Sequence, residues 1–247
     1  VGKDLNTYKS ECHHGTAYTN IQADYAGIHS EALYFVPLNK TYEVWNLKVT
    51  NTSDRPRKIS VFGYAEFTNE GNYEQDQVNL QYTLFITRTY FKQNKIMQVI
   101  NENVKKQSIN GSNAEGRFFG LAGQDIASYC GDKESFIGLY HGYGNPTAVE
   151  NGACSNVLNY NANACGALQT IVTLNPGETK ELAFILGQKS ETEADAIMAS
   201  YRDVSKTCAD ELAELIGYWH DKLNHLQVKT PSDSFNNMIN TWNAYQC

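Results

Sequence analysis

The chain has 247 residues, 41% of them hydrophobic, with 20 basic and 27 acidic residues for a net charge of −7. That apolar content supports a sizeable core and argues against wholesale disorder, and no apolar run is long enough for a membrane span. The charges are dispersed without a basic stripe, which argues against nucleic acid as a partner and leaves the acidic balance to serve solubility. No secretory leader opens the chain, and residue 1 is Val rather than Met, so processing or truncation of a longer product is expected.

Residues 16 to 190 read mostly as strands. In "TYEVWNLKVTNTSDRPRKISVFGYAEF", Glu43, Trp45, Leu47 and Val49 form a largely apolar set that alternates with Tyr42, Val44, Asn46 and Lys48, as on a half-buried strand. "NTSDRPR" supplies turn chemistry, and strand character resumes at Ile59, Val61 and Tyr64, so an antiparallel hairpin is expected. "QYTLFITRTYF" alternates in the same way, and "ESFIGLYHGYGNP" reads as a short strand entering a Gly-rich loop. Pro176-Gly177 in "LNPGETKELAFILG" suits the two central positions of a turn. Many short strands joined by Gly and Asn turns predict a mainly β protein, a large antiparallel β-sandwich rather than βαβ units.

The period changes near residue 190. Ser190 and Glu193 form a capping-box pattern that opens a helix through about Tyr201. A second helix carries Leu212, Leu215, Ile216, Trp219, Leu223 and Leu226 on one face. A last one runs through "PSDSFNNMINTWNAYQC", with Thr230 as its cap, Pro231 in its first turn, and Phe235, Met238, Ile239 and Trp242 on one apolar face. The division is therefore a sandwich at 1–189, incomplete at its start, and a helical linker at 190–247 whose last face has nothing to pack against.

Six cysteines at 12, 130, 154, 165, 208 and 247 make no CxxC pair. A domain of this size needs no disulfide staples, so free thiols are expected, with Cys154 and Cys165 the pair to watch. His13-His14 beside Cys12 offers no third metal ligand at a familiar spacing, so a polar strand end is the reading and no metal site is assigned. Asn51-Thr52-Ser53 and Asn110-Gly111-Ser112 match the glycosylation pattern, as chance matches in an Asn-rich chain. No Gly-rich phosphate loop and no nucleophile elbow is present. Trp45, Trp219 and Trp242 occupy apolar positions and read as core.

The polar segment 66 to 82, "EFTNEGNYEQDQVNLQY", combines Glu66, Glu70, Glu74 and Asp76 with many amides and a tyrosine. Such groups bond and stack on sugars, and a carboxylate pair serves glycoside chemistry. A solvated loop explains the same composition.

Several segments in order, "YKSECHHGTAYTNIQADYAGI", "YFVPL", "NTSDRPRKISVFGYAEF", "ESFIGLY", "NGACSN", "LNPGE", "LQVKTP" and "MINTWNAYQC", resemble the N-terminal part of glycoside hydrolase family 94, the cellobiose and chitobiose phosphorylases. The resemblance implies an N-terminal supersandwich and a helical linker leading to an (α/α)6 barrel that this chain lacks. It implies a cytoplasmic homodimer that cleaves a β-linked disaccharide with phosphate and inversion, with cellobiose first, then N,N′-diacetylchitobiose and laminaribiose. The acid and the phosphate ligands belong to the barrel, so no catalytic residue is assigned here. No metal or organic cofactor is implied, only inorganic phosphate as co-substrate. With the dimer, the amide-rich loop suggests that Asn72, Tyr73, Gln77 and Gln81 border the acceptor-sugar end of the partner's site. Two other readings stay open: a free-standing carbohydrate-binding β-sandwich, and a sandwich glycosidase using Glu66 and Asp76.

Overall fold

The computed structural model describes residues 5–67, 87–100 and 116–243. The eleven strands found there form two antiparallel sheets, the mainly β sandwich expected. The larger sheet takes β1 (Lys9–Gly15), β2 (Tyr18–Tyr25), β3 (Ile28–Phe35), β4 (Tyr42–Asn51), β6 (Thr87–Lys92), β7 (Lys95–Ile100), β8 (Arg117–Ala122) and β11 (Thr179–Gln188), in the order β1-β2-β3-β4-β11-β8-β7-β6. The smaller sheet places β10 (Ala164–Leu174) between β5 (Arg57–Glu66) and β9 (Ser128–Asp132). Strands β1 to β4 form a meander, and the β2–β3 turn has positive φ at both Ala26 and Gly27, as a two-residue hairpin turn requires. A Cβ on Gly27 would stand 2.9 Å from Ser53 Cβ, so the glycine also permits the close approach of the next connection.

The expected hairpin over 42–66 is not one. Strand β4 pairs with β3 and β11, whereas β5 pairs with β10 in the other sheet. "NTSDRPR" is an arch between sheets. The Pro176-Gly177 turn is a second arch, from β10 to β11. Turn chemistry reverses the chain, but it does not fix whether the next strand pairs alongside or crosses the core.

The faces of β4 correct a second expectation. Trp45, Leu47 and Val49 do face the small sheet, among Phe119, Leu121, Leu182, Phe184, Leu168 and Leu174. Yet Tyr42, Val44 and Asn46, assigned to the polar side, are more buried than Trp45 or Leu47. Two helices cover them: α3 (Glu191–Ser200) and α4 (Val204–Leu223), which bring Ala194, Tyr201, Val204, Cys208 and Leu215 onto that face. The Ser190–Glu193 capping box is formed as predicted. Buried Lys95 of β7 pairs with Asp195 of α3, and Lys92 with Glu191, tying the helix to the sheet edge. Tyr42 and Tyr201 both donate to Glu211 of α4. Each large apolar side chain buried in these layers contributes about 1.5–3 kcal/mol.

The outer face of the small sheet is covered by α1 (Lys133–Ile137) and α2 (Thr147–Glu150). The segment "ESFI" is thus helical, not a strand: Asp132 caps it by accepting from the Ser135 N–H at 2.7 Å, and Phe136 and Ile137 turn inward. The last helix, α5 (Asp233–Asn237), is capped by Ser232 rather than Thr230 and continues as a π-helical turn over Met238–Asn243. Its apolar face is open: Phe235, Met238 and Trp242 are each at least half exposed, so Trp242 is not a core residue. Leu226 also lies past the end of α4 and is exposed.

Candidate functional site

Polar and aromatic side chains gather at the end of β5, where the chain enters the polar segment singled out by sequence. Glu66 Oε1 accepts from the Tyr64 hydroxyl at 2.9 Å and from the Tyr143 hydroxyl, and faces Lys133 Nζ at 3.0 Å. Lys133 Nζ also donates to the Tyr143 hydroxyl at 2.8 Å and stands 5.2 Å over its ring. Local structure explains the convergence. Glu66 ends β5, and Lys133 opens α1, whose Phe136 ring stacks on Tyr64 with centroids 4.8 Å apart. The loop 138–146 that carries Tyr143 is held by its own bonds, His141 N–H to the Gly138 carbonyl and Asn145 N–H to the Gly142 carbonyl.

Electrostatics follows from these contacts. Burial works to raise the Glu66 carboxyl, but hydrogen bonds from Tyr143, Lys133 and Tyr64 outweigh it and hold the group below the usual carboxylate range. Hydrogen bonding to Tyr143, with burial opposing, raises the Lys133 ammonium, and burial with the bond to Glu66 raises the Tyr64 phenol. The cluster is an ionised carboxylate ringed by hydroxyls. It can orient sugar hydroxyls, but among the described residues it includes no neutral carboxylic acid of the kind a glycosidase uses to protonate a leaving oxygen. Glu66 therefore does not fill the proton-donor role of the glycosidase reading.

Asn72, Tyr73, Gln77 and Gln81, and with them Asp76, lie outside the described residues. Lys133, Tyr64 and Tyr143 were missed by sequence reasoning; their one local signal was the capping pattern at Asp132, which marks a helix rather than a site. His13 and His14 lie on the exposed strand β1, where His14 Nε2 is 3.5 Å from Cys12 Sγ and His13 meets Glu11. Among the described residues, no three His, Cys, Asp or Glu side chains are grouped to hold a metal ion, and no helix is long and apolar enough to cross a membrane. An apolar groove of about 660 Å³ lies between the β1–β2 and β3–β4 turns and the helices, lined by Tyr18, Phe35, Leu215, Trp219 and Trp242.

Residues 3–204 match the glycosyl hydrolase 94 supersandwich domain, and residues 218–247 match the catalytic domain of the glycosyl hydrolase 94 superfamily. The chain belongs to glycosyl hydrolase family 94. It is 33% identical over its whole length to N,N′-diacetylchitobiose phosphorylase of Vibrio proteolyticus and 34% to that of Vibrio furnissii. Solabiose phosphorylase of Paenibacillus borealis is 27% identical over 98% of the chain. The chain spans 30% of the length of each of these relatives. In family 94 terms, the Glu66 cluster lies within the supersandwich match, whereas the apolar groove joins it to the catalytic-domain match through Trp219 and Trp242.

Proposed function

We propose that this chain is the supersandwich and linker of a family 94 phosphorylase that cleaves a β-linked disaccharide with inorganic phosphate, releasing a sugar 1-phosphate and a free sugar. The similarity to the two Vibrio diacetylchitobiose phosphorylases across the whole chain carries this reading. Phosphate takes the place of water at the anomeric carbon, and an acid outside this chain protonates the leaving oxygen. Within the chain, the roles are scaffolding and contact. The division at 189/190 belongs to this proposal and marks the end of β11, although the supersandwich match runs on to residue 204 and takes in α3. The open face of Phe235, Met238 and Trp242 is then where the rest of the catalytic domain packs.

The same reading makes the whole enzyme a cytoplasmic homodimer, with Asn72, Tyr73, Gln77 and Gln81 bordering the partner's acceptor site and phosphate as co-substrate rather than cofactor. Cellobiose and N,N′-diacetylchitobiose are the substrates to compare, the second favoured by the names of the Vibrio relatives. The test is phosphate-dependent release of sugar 1-phosphate from cellobiose, diacetylchitobiose and laminaribiose by the full-length protein. Release from none of them, or release without phosphate, would overturn the proposal. A binding-module reading is favoured by one observation, the fully exposed ring of Tyr140 in the loop that carries Tyr143. Titration of cello- and chito-oligosaccharides against the chain separates the two.

A further inference from the structure

Cys130, Cys154 and Cys165 meet in one buried cluster with Phe136, Ile137, Ala148 and Ala167. Cys130 lies in the middle of β9, Cys165 lies in the neighbouring strand β10, and Cys154 follows the turn after α2. The segment around Cys154 is laid along β9. The Asn156 N–H donates to the Tyr129 carbonyl at 2.9 Å, and the Gly131 N–H donates to the Val157 carbonyl at 2.8 Å. The Cys154 N–H donates to Ser128 Oγ at 2.8 Å. Cys130 stands between these clamps.

Its sulfur is the acceptor of the cluster. The Ser155 N–H reaches Cys130 Sγ at 3.4 Å and the Ser155 hydroxyl lies at the same distance, so the residue next to Cys154 is seated on the Cys130 sulfur and both thiols share one buried cluster. Cys165 is turned away, donating to the Cys130 carbonyl at 3.6 Å. The five described cysteines are free thiols, as expected, and the two singled out by sequence, Cys154 and Cys165, share their cluster with a third, Cys130.

We propose that Cys130 and Cys154 are a dithiol that hydrogen peroxide converts to an intramolecular disulfide, fixing the segment after α2 to β9. The hydrogen bond from Cys154 draws the Cys130 thiol down to about 6, so Cys130 is the nucleophile, while Cys154 is pushed up by that same bond and by burial. The Cys130 thiolate attacks one peroxide oxygen; the O–O bond breaks, giving a sulfenic acid and hydroxide. The sulfur of Cys154 then attacks the sulfenic sulfur. The S–S bond forms, the S–O bond breaks, and the second oxygen leaves as water. Two thiols and one peroxide become one disulfide and two waters. Access comes from the segment itself: Cys154 is buried, but residues 151–153 and 155–158 around it are exposed, so lifting this short stretch uncovers both sulfurs.

The test exposes the native protein, as a Cys12→Ser variant to remove the one exposed thiol among the described residues, to millimolar hydrogen peroxide. After quenching, the denatured protein is alkylated and weighed. The starting variant has five thiols, the chain's six less Cys12, and three should remain, with a dithiothreitol-sensitive Cys130–Cys154 cross-linked peptide. Adding Cys165→Ser should leave the cross-link intact, and adding Cys154→Ser should abolish it. Five thiols after treatment, a Cys154–Cys165 link, or stable sulfinic acid at Cys130 without a cross-link would each overturn the proposal.

Discussion

The side-chain amide of Asn51, the last residue of β4, donates to the main-chain carbonyl of Leu174, the last residue of β10, at 3.0 Å. One hydrogen bond thus joins the ends of strands in opposite sheets. Asn51 also donates to the Arg55 carbonyl and accepts from the Ser53 N–H, and its backbone bonds Glu178 and Gly177. Both arches between the sheets are fixed by this one fully buried side chain. The glycosylation pattern at Asn51 is therefore unusable in the folded protein.

Asn51→Ala should destabilise the chain by about 2–4 kcal/mol, because the buried Leu174 carbonyl loses its donor at about 1–3 kcal/mol and the part-buried Arg55 carbonyl loses one at about 1 kcal/mol. Asn51→Asp should be at least as harmful, since it keeps the acceptor, loses the donor and buries a charge. Urea unfolding measures both. A loss below about 0.5 kcal/mol, the range of ordinary surface substitutions, would show that water replaces the amide.

Lys95 is 1% exposed and its partner Asp195 about one-third exposed. Asp195→Asn, which leaves a buried ammonium unpaired, should cost about 2 kcal/mol, below the ~3–5 kcal/mol of a fully buried pair. Lys95→Met should be milder, and adding it to Asp195→Asn should restore stability. The hydrogen bond from Lys95, against burial, holds Asp195 below its ordinary value of 3.8. Its contribution is then fully present above that value and is lost as pH falls through the folded-state value. The Tm difference between wild type and Asp195→Asn should therefore begin to shrink as pH falls below about 4 and vanish once pH passes the folded-state value. A gap that persists at pH 2 would refute the pairing.

Trp219 packs on the helix-covered core but is only partly buried. Trp219→Ala should cost about 1–2 kcal/mol, against ~3–5 kcal/mol for a fully buried aromatic. Leu215→Ala, at 4% exposure, should cost more, about 2–4 kcal/mol. Thermal unfolding of both variants gives the order; the reverse order would move the helix seam to Trp219.

In the full-length enzyme, Tyr73→Ala or Gln77→Ala should raise the acceptor KM roughly tenfold, about 1.4 kcal/mol of binding shared by ground and transition states, with kcat nearly unchanged. The measurement is synthesis with acceptor varied at saturating sugar 1-phosphate. Wild-type constants for both variants would place the loop away from the partner's site.

Much of the architecture was written locally. Period-2 alternation marked the strands, Ser190 and Glu193 marked α3, and Pro176-Gly177 marked a turn, because each signal acts over a few residues of backbone. What lay beyond that range was decided by tertiary structure. "NTSDRPR" fixed a reversal, but pairing β4 with β11 instead of β5 depended on residues more than a hundred positions away. Tyr42 and Val44 were assigned to the wrong side because a strand's pattern cannot reveal that helices will later cover its second face. The β-like composition of "ESFI" hid the helix α1 that Asp132 caps. The Glu66 cluster and the Cys130–Cys154 contact were illegible for the same reason. Their members come from different strands and loops, and only the tertiary fold brings side chains so far apart in sequence together.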